Sequence, residues 1–520
     1  MNWSREDMPH AVSHSLPSEI IPVSIRDRVF LDSGILYVSE ELQGKPELVQ
    51  FIAINRVRGN KIFTYLPPEE FNEKNNELNK SKDIDATNDN EVEKVIKKIL
   101  NAAYSKHASD IHVLDKGAYT IVRTRIHGQL IDFETYPKEL GKAVQRVFYS
   151  KSSSTSRPEM SVEHRLESRI VGSDILPKAI HSARLHTEPT ETQHREKAAS
   201  MFLRLLYDST KASGTLEQRM GQLGFTEQQI RTLRYLTART GLVVLSGPTG
   251  HGKSTALVHL MESMAAENPG KCFVSVEDPP EYPIRGVIQF LVSTATDEES
   301  SLEELAKRYN DAIAGTMRSD LDVCMIGEMR YPETVKAAIN IAMSGHSVYS
   351  TFHANNALGI VSRMVNFLTS AGASYQEALE TVCDVNVLAG LVYQRLLPVL
   401  CPECKRKMTQ GDEYPEDIKT RLAGKGIEEF YVVGPGCSHC NKMGIVGQTV
   451  AAEVIAVDPE MLALLRTPGT GIQQAREYWL QDKQGQTYVQ HAIELIRQGL
   501  VDPIRAEERL GVPIDFETQR

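Results

Sequence analysis

One stretch restricts the fold of this chain more than any other: Gly247-Pro248-Thr249-Gly250-His251-Gly252-Lys253-Ser254, followed by Thr255. It fits the Walker A pattern at every fixed position, with the apolar run Leu242–Leu245 before it and a helix, Ser254 to Ala266, expected after it. A strand, a glycine-rich turn and a helix in that order form a phosphate-binding loop. Glycines let backbone N–H groups turn inward around phosphate oxygens. The new helix presents its positive end to them. Lys253 is then expected at the β- and γ-phosphates and Ser254 on Mg²⁺. Such a loop demands a parallel α/β core, and the text from about Gly221 onward alternates accordingly. Strands are expected at 241–246, 272–276, 323–326 and 347–350.

The remaining chain is too long for that core alone. At 520 residues it suggests about three or four domains. Residues 1–68 read as a small α/β module, and Glu69 to Asn90 as a polar linker with too few apolar side chains to bury. A second small domain spans 91–208. It opens with a helix, Glu91 to Tyr104, whose Val92, Val95, Ile96, Ile99 and Leu100 share one face. Strands are expected at 111–113 and 119–123, a Ser-rich loop at 151–157, and a closing helix from Met201 to Tyr207. The ATPase-type domain is placed at 217–520 and is expected to be mainly helical past Cys440. The fold class is therefore α/β, a RecA-like P-loop core with small N-terminal α/β domains.

Composition excludes some partners. The net charge is −10, so there is no global basic footprint for nucleic acid. No run reaches about 18 uncharged apolar residues. The N-terminus carries Arg5, Glu6 and Asp7 with no apolar stretch behind them, unlike a signal peptide.

Three further clusters carry chemistry. Glu277-Asp278-Pro279-Pro280-Glu281 follows a strand, and its prolines stiffen the loop that would hold Glu281. Gly327-Glu328 follows the apolar run Val323 to Ile326, a Walker B placement for a carboxylate. His346 and His353 flank a short strand. An acidic turn, a strand-ending surface Glu and packing histidines are the bland alternatives. Separately, Cys401-Pro402-Glu403-Cys404 and Cys437-Ser438-His439-Cys440 bracket a 32-residue insert, 405–436. Two such pairs can close a tetrahedral Zn²⁺ site, expected as a module at 398–445. Two unrelated reduced pairs or a redox switch are the alternatives.

The order of Walker A, Glu277–Glu281, Gly327-Glu328-Met329-Arg330 and Gly345-His346 to Asn355 resembles the secretion ATPase superfamily of pilus-assembly, pilus-retraction and type II secretion motors. More weakly, Ala108-Ser109-Asp110-Ile111-His112 and Arg123 to Gly128 resemble that family's second N-terminal domain. The resemblance implies ATP, Mg²⁺ and Zn²⁺ as cofactors. It implies Glu281 as catalytic glutamate, Glu328 as the Mg²⁺-side acid and His353 as the γ-phosphate histidine; His346, on the other side of the same strand, is a further catalytic candidate. Arg169 and Arg184 are its nearest candidates for arginines given to a neighbour's nucleotide. It further implies a cytoplasmic homohexamer held peripherally at the inner membrane by a polytopic platform protein and a membrane-associated adaptor, with no nucleic acid. The four cysteines resemble extension and secretion members more than retraction members. Departures are His251 for the common Ser, Tyr331 for Asp and Ala314 for Arg.

Overall fold

A computed structural model describes residues 29–32, 35–45, 48–49, 62–68, 70, 86–117, 119–152, 159–191, 197–207, 214–292 and 302–516. Most of the expected linker and of the Ser-rich loop lies outside these residues. Within the linker span, Asp89 and Asn90 already belong to the helix Asp89–Ser105. The chain divides into two compact units, 1–177 with 182–205, and 178–181 with 206–520.

Among the described residues, the first unit holds two sheets. In the smaller, β1 (Val29–Asp32) pairs antiparallel with β2 (Ile35–Ser39), and β2 pairs parallel with β3 (Ile62–Leu66). The larger comprises β4 (Ala108–Asp115), β5 (Tyr119–Ile126), β6 (Gln129–Pro137), β7 (Leu166–Val171), β8 (Ile180–Glu191) and β9 (Lys197–Tyr207), in the order β6-β5-β4-β9-β8-β7. The helices Asp89–Ser105 and Lys138–Ser150 pack on it. The apolar face expected from the sequence is buried: Val92, Val95, Ile96, Ile99 and Leu100 are all core. Met201 to Tyr207, expected as a helix, is instead strand β9, paired antiparallel with β4. Its run is apolar at every position but Arg204, so the sequence carries no period that separates strand from helix.

The second unit is a seven-stranded sheet in the order β12-β11-β13-β14-β10-β15-β18. Its strands are β10 (Gly241–Ser246), β11 (Phe273–Glu277), β12 (Ile288–Leu291), β13 (Val323–Glu328), β14 (Ser347–Phe352), β15 (Leu388–Leu400) and β18 (Ile445–Ala456). All neighbours are parallel except β15 and β18. Helices cover both faces, which explains why β10 is buried at every position. Leu242 and Val244 join the core on one face, and Val243 and Leu245 the core on the other. The region past Cys440 is less helical than expected. It begins with the 12-residue strand β18 before the helices that run from Pro459 to Leu510.

The cysteine insert folds back on itself. β16 (Arg406–Thr409) and β17 (Glu429–Val432) form a hairpin around the helix Glu416–Gly424. Ile418, Leu422, Ile427, Phe430 and Val432 anchor it in the main core.

Candidate functional site

The loop 247–252 joins the C-terminal end of β10 to the helix Lys253–Glu267. Gly252 holds φ +75° at the helix N-cap and Gly250 φ +77°, backbone that β-carbons resist. No side chain caps this helix. By contrast, Thr215, Thr226 and Thr487 close capping boxes on three others. The first-turn amides after Gly252 are therefore left to an anion, which is what a helix N-terminus is suited to bind.

Lys253 is the charged group at that point. Its Nζ donates to the carbonyls of Gly247 at 2.8 Å and Pro248 at 3.1 Å. Burial pulls its pKa down to about 8, against the upward pull of the Glu328 and Glu281 carboxylates. A phosphate at the loop would favour the ammonium form.

Glu328, at the end of β13, stands between Arg330 and His353. Its Oε2 accepts from Arg330 Nε at 2.7 Å, and its Oε1 lies 2.7 Å from His353 Nε2. Burial and the nearby Lys253 charge lower the His353 pKa, so the imidazole is neutral at physiological pH. The loop after His353 is fixed at both ends. The Ala354 N–H donates to Ser246 Oγ at 2.7 Å, and the Ala357 N–H donates to the buried Glu453 Oε2 at 2.8 Å. Lys253, Glu328 and His353 are thus brought together at the C-terminal edge of the sheet, with Glu281 within electrostatic reach of Lys253.

Glu277 was not singled out by sequence, yet it shapes the loop that carries Glu281. It accepts from Ser275 Oγ at 2.7 Å and Gln289 Nε2 at 3.0 Å, and from the Glu281 backbone. Burial, reinforced by the Glu281 charge, raises its pKa. The only sequence signal was its place at the head of the acidic run.

His346 does not reach this site. It precedes β14, beside Gly241 at the entry to β10: the Gly241 N–H donates to the His346 carbonyl at 3.0 Å. Its imidazole Nδ1 lies 2.9 Å from Ser344 Oγ. The six residues of β14 separate its end of the sheet from the loop's by about 20 Å. Arg169 and Arg184 face each other across β7 and β8 in the first unit. Arg169 donates to Ser182 Oγ, and Arg184 to Glu167 at 3.0 Å. A second arginine pair, of which the sequence reading missed Arg204, gathers around Asp110 on the same sheet. Arg204 reaches it at 3.1 Å and Arg125 at 3.9 Å.

The four cysteines converge. Their Sγ atoms all lie within 4.8 Å of one another. Cys401–Cys437 is 3.7 Å, and Cys404–Cys440 and Cys437–Cys440 are 3.8 Å. Thiolates about 2.3 Å from a tetrahedral Zn²⁺ have edges of about 3.8 Å, so the set fits zinc. A disulfide would need about 2.05 Å. The backbone N–H groups of Cys437 and Gly444 donate to Cys440 Sγ at 3.2 and 3.1 Å. Against the opposing effect of burial, these hold the Cys440 thiol down at about 6. Gly436 combines φ +85° with a position where a β-carbon would fall 2.3 Å from the Lys442 carbonyl oxygen. Four Cys ligands leave no position for water, so the metal would be structural.

A glycine loop at a strand–helix junction, an uncapped helix behind it and a strand-end carboxylate beside it define a P-loop α/β core. The chain belongs to the type II/IV secretion system protein family, whose pattern it matches over residues 85–509. It is 28% identical over 375 residues to the putative type II secretion system protein E of Escherichia coli K12, covering 72% of this chain and 68% of that one. It is also 28% identical over 397 residues to the type II secretion system ATPase E of Vibrio cholerae, covering 75% and 70%. Among solved structures, the Legionella pneumophila ATPase DotB aligns with a TM-score of 0.55 at 15% identity, over 79% of this chain and 93% of its own. The pilus retraction motor PilT with bound ADP aligns at 0.50 and 21% identity, over 81% and 98%. These two likenesses concern the fold.

Proposed function

We propose that this chain is a secretion-type ATPase that hydrolyses ATP to ADP and phosphate as a homohexamer, powering type IV pilus assembly or type II secretion. The observation that carries the reading is the convergence of Lys253, Glu328 and His353 on an uncapped helix N-terminus. The loop 247–252 with Lys253, Ser254 and Thr255 would hold the phosphates and Mg²⁺. Glu281 would orient or deprotonate the attacking water. Glu328 would serve the Mg²⁺ side, and His353, tied to Glu328, would respond to loss of the γ-phosphate. Arg169 and Arg184 of a neighbouring copy would stabilise the transferring phosphoryl group. Zn²⁺ on Cys401, Cys404, Cys437 and Cys440 would fix the insert. That module favours fibre extension or secretion over retraction.

The work would pass to a polytopic inner-membrane platform protein from the cytoplasmic side, with a membrane-associated adaptor and no nucleic acid. Residues 1–68 would dock the chain on its membrane partner, with 69–90 as a flexible linker. No helix among the described residues is long and apolar enough to cross a membrane. A chain beginning at residue 86 should assemble and hydrolyse ATP but leave the membrane fraction. Loss of hydrolysis with membrane association retained would reverse these domain roles.

A further inference from the structure

β15 outruns its neighbour. β10 ends at Ser246, opposite Tyr393, whereas β15 continues to Leu400 and remains paired with β18 on its other side. Beyond Tyr393 no strand among the described residues pairs with the β10-facing edge of β15, and unpaired buried amides are costly. The phosphate loop itself occupies that edge. The Leu396 backbone N–H donates to His251 Nδ1 at 2.9 Å. The Gln394 Nε2 donates to the His251 carbonyl at 2.7 Å. The loop lies close on this segment: a β-carbon on Gly247 would fall 2.3 Å from the Gln394 carbonyl oxygen, and one on Gly252 would meet Gln394 Nε2 at 3.3 Å.

We propose that His251 is a positioning residue: its Nδ1 continues the hydrogen-bond ladder of β15, ties the phosphate loop to that strand, and so sets nucleotide affinity without touching nucleotide. The proposal rests on the reading that the loop binds a nucleoside triphosphate. Its chemistry is specific. Accepting the Leu396 N–H at Nδ1 requires the imidazole to be neutral with its proton on Nε2. The surroundings keep it so. Burial, with the charges of Arg395, Arg509 and Lys253, holds the His251 pKa down at about 4. The tied segment is also short of alternatives. Gln394 is fully buried, and its Oε1 has no partner among the described residues. The same strand runs four residues beyond Leu396 before reaching Cys401, so the loop is tied to the strand that leads into the cysteine module.

Asparagine tests the acceptor, because its Oδ1 sits as many bonds from Cα as Nδ1 does, whereas the glutamine oxygen sits one bond further. Affinity for Mg·ADP would be measured by displacement of a fluorescent nucleotide from the full chain, alongside His251→Asn, His251→Gln and His251→Ala. Amide exchange of the peptide containing Leu396 would be followed without nucleotide. One neutral hydrogen bond corresponds to roughly a 3- to 10-fold loss of affinity. His251→Ala and His251→Gln should show that loss and faster exchange at Leu396. His251→Asn should stay within about twofold of the unmodified chain in affinity, with exchange restored. Unchanged affinity and exchange in His251→Ala would overturn the proposal. So would equal losses in His251→Ala and His251→Asn, which would assign the effect to the ring. Failure of the unmodified chain to bind Mg·ADP would overturn the nucleotide reading and the affinity half of this proposal. The exchange measurement needs no ligand and would still decide the tie.

Discussion

Replacing Cys440 by Ser removes the best-supported corner of the cysteine site. Three Sγ separations of 3.7, 3.8 and 3.8 Å belong to a tetrahedron. Dividing such an edge by 1.63 puts its centre about 2.3 Å from each sulfur, the Zn–thiolate distance. Cys440 is also the thiol that receives two backbone N–H groups, so it is already biased toward thiolate. Structural zinc in small peptides binds with about 10–16 kcal/mol of apparent free energy, all of it coupled to folding. Here the hairpin and helix of the insert also bury Ile418, Leu422, Ile427, Phe430 and Val432 against the main core. The loss should therefore unfold the module locally and spare the sheet. Metal analysis of the unmodified chain should give about one zinc per chain, and X-ray absorption should show four sulfurs near 2.3 Å. Cys440→Ser should lose most of the zinc, and protease should cut within 405–436 while the phosphate-loop half of the unit stays intact. Zinc-free protein with a protease-resistant insert, or a spectrum with nitrogen or oxygen ligands, would refute the reasoning.

Two further outcomes follow from the geometry. Glu281→Gln keeps shape but cannot accept a proton, so turnover should fall by ~10²-fold or more with ATP affinity retained; a parallel loss of affinity would move Glu281 to a metal or folding role. His491 is buried, with its pKa lowered from 6.5 to about 4 by burial, while its Nδ1 accepts from the Ala452 N–H at 3.1 Å. The depressed value means the fold favours the neutral ring. This contribution is complete above about pH 6.5 and is lost as pH falls toward about 4, up to about 3 kcal/mol. His491→Asn keeps an acceptor but does not titrate, so thermal melts should show a shallower fall between about pH 7 and pH 5 than in the unmodified chain. Parallel curves would remove His491 as the titrating group.

The parts of the site written contiguously were legible. Each of the phosphate loop, the Glu277–Glu281 run, the Gly327-Glu328 pair and the cysteine pairs needs only its own neighbours to declare its chemistry. What could not be read are contacts across the sheet. Gln394 meets His251 from 143 positions away, and Glu453 holds Ala357 from 96. Neither spacing leaves a local pattern. Strand β9 was read as a helix because Met201 to Tyr207 is nearly all apolar and offers no period to choose between them. β18 was missed although Val446, Thr449, Val450, Val454 and Ile455 are strand-favouring residues, because burial of both its faces erased the alternation. His346 and His353 flank the same short strand in sequence, where both are candidates for the site. A strand between them sends its two ends to opposite edges of the sheet, and only the end carrying His353 meets the loop.

The most direct test of the account is steady-state release of phosphate from ATP by the purified full chain, with Lys253→Ala beside it. Lys253 reaches the loop carbonyls of Gly247 and Pro248 and is the cation this chain places in its own phosphate loop. The account predicts Mg²⁺-dependent hydrolysis by the unmodified chain and none above background in Lys253→Ala, with the circular dichroism spectra of the two superimposable. Equal turnover by both would contradict it.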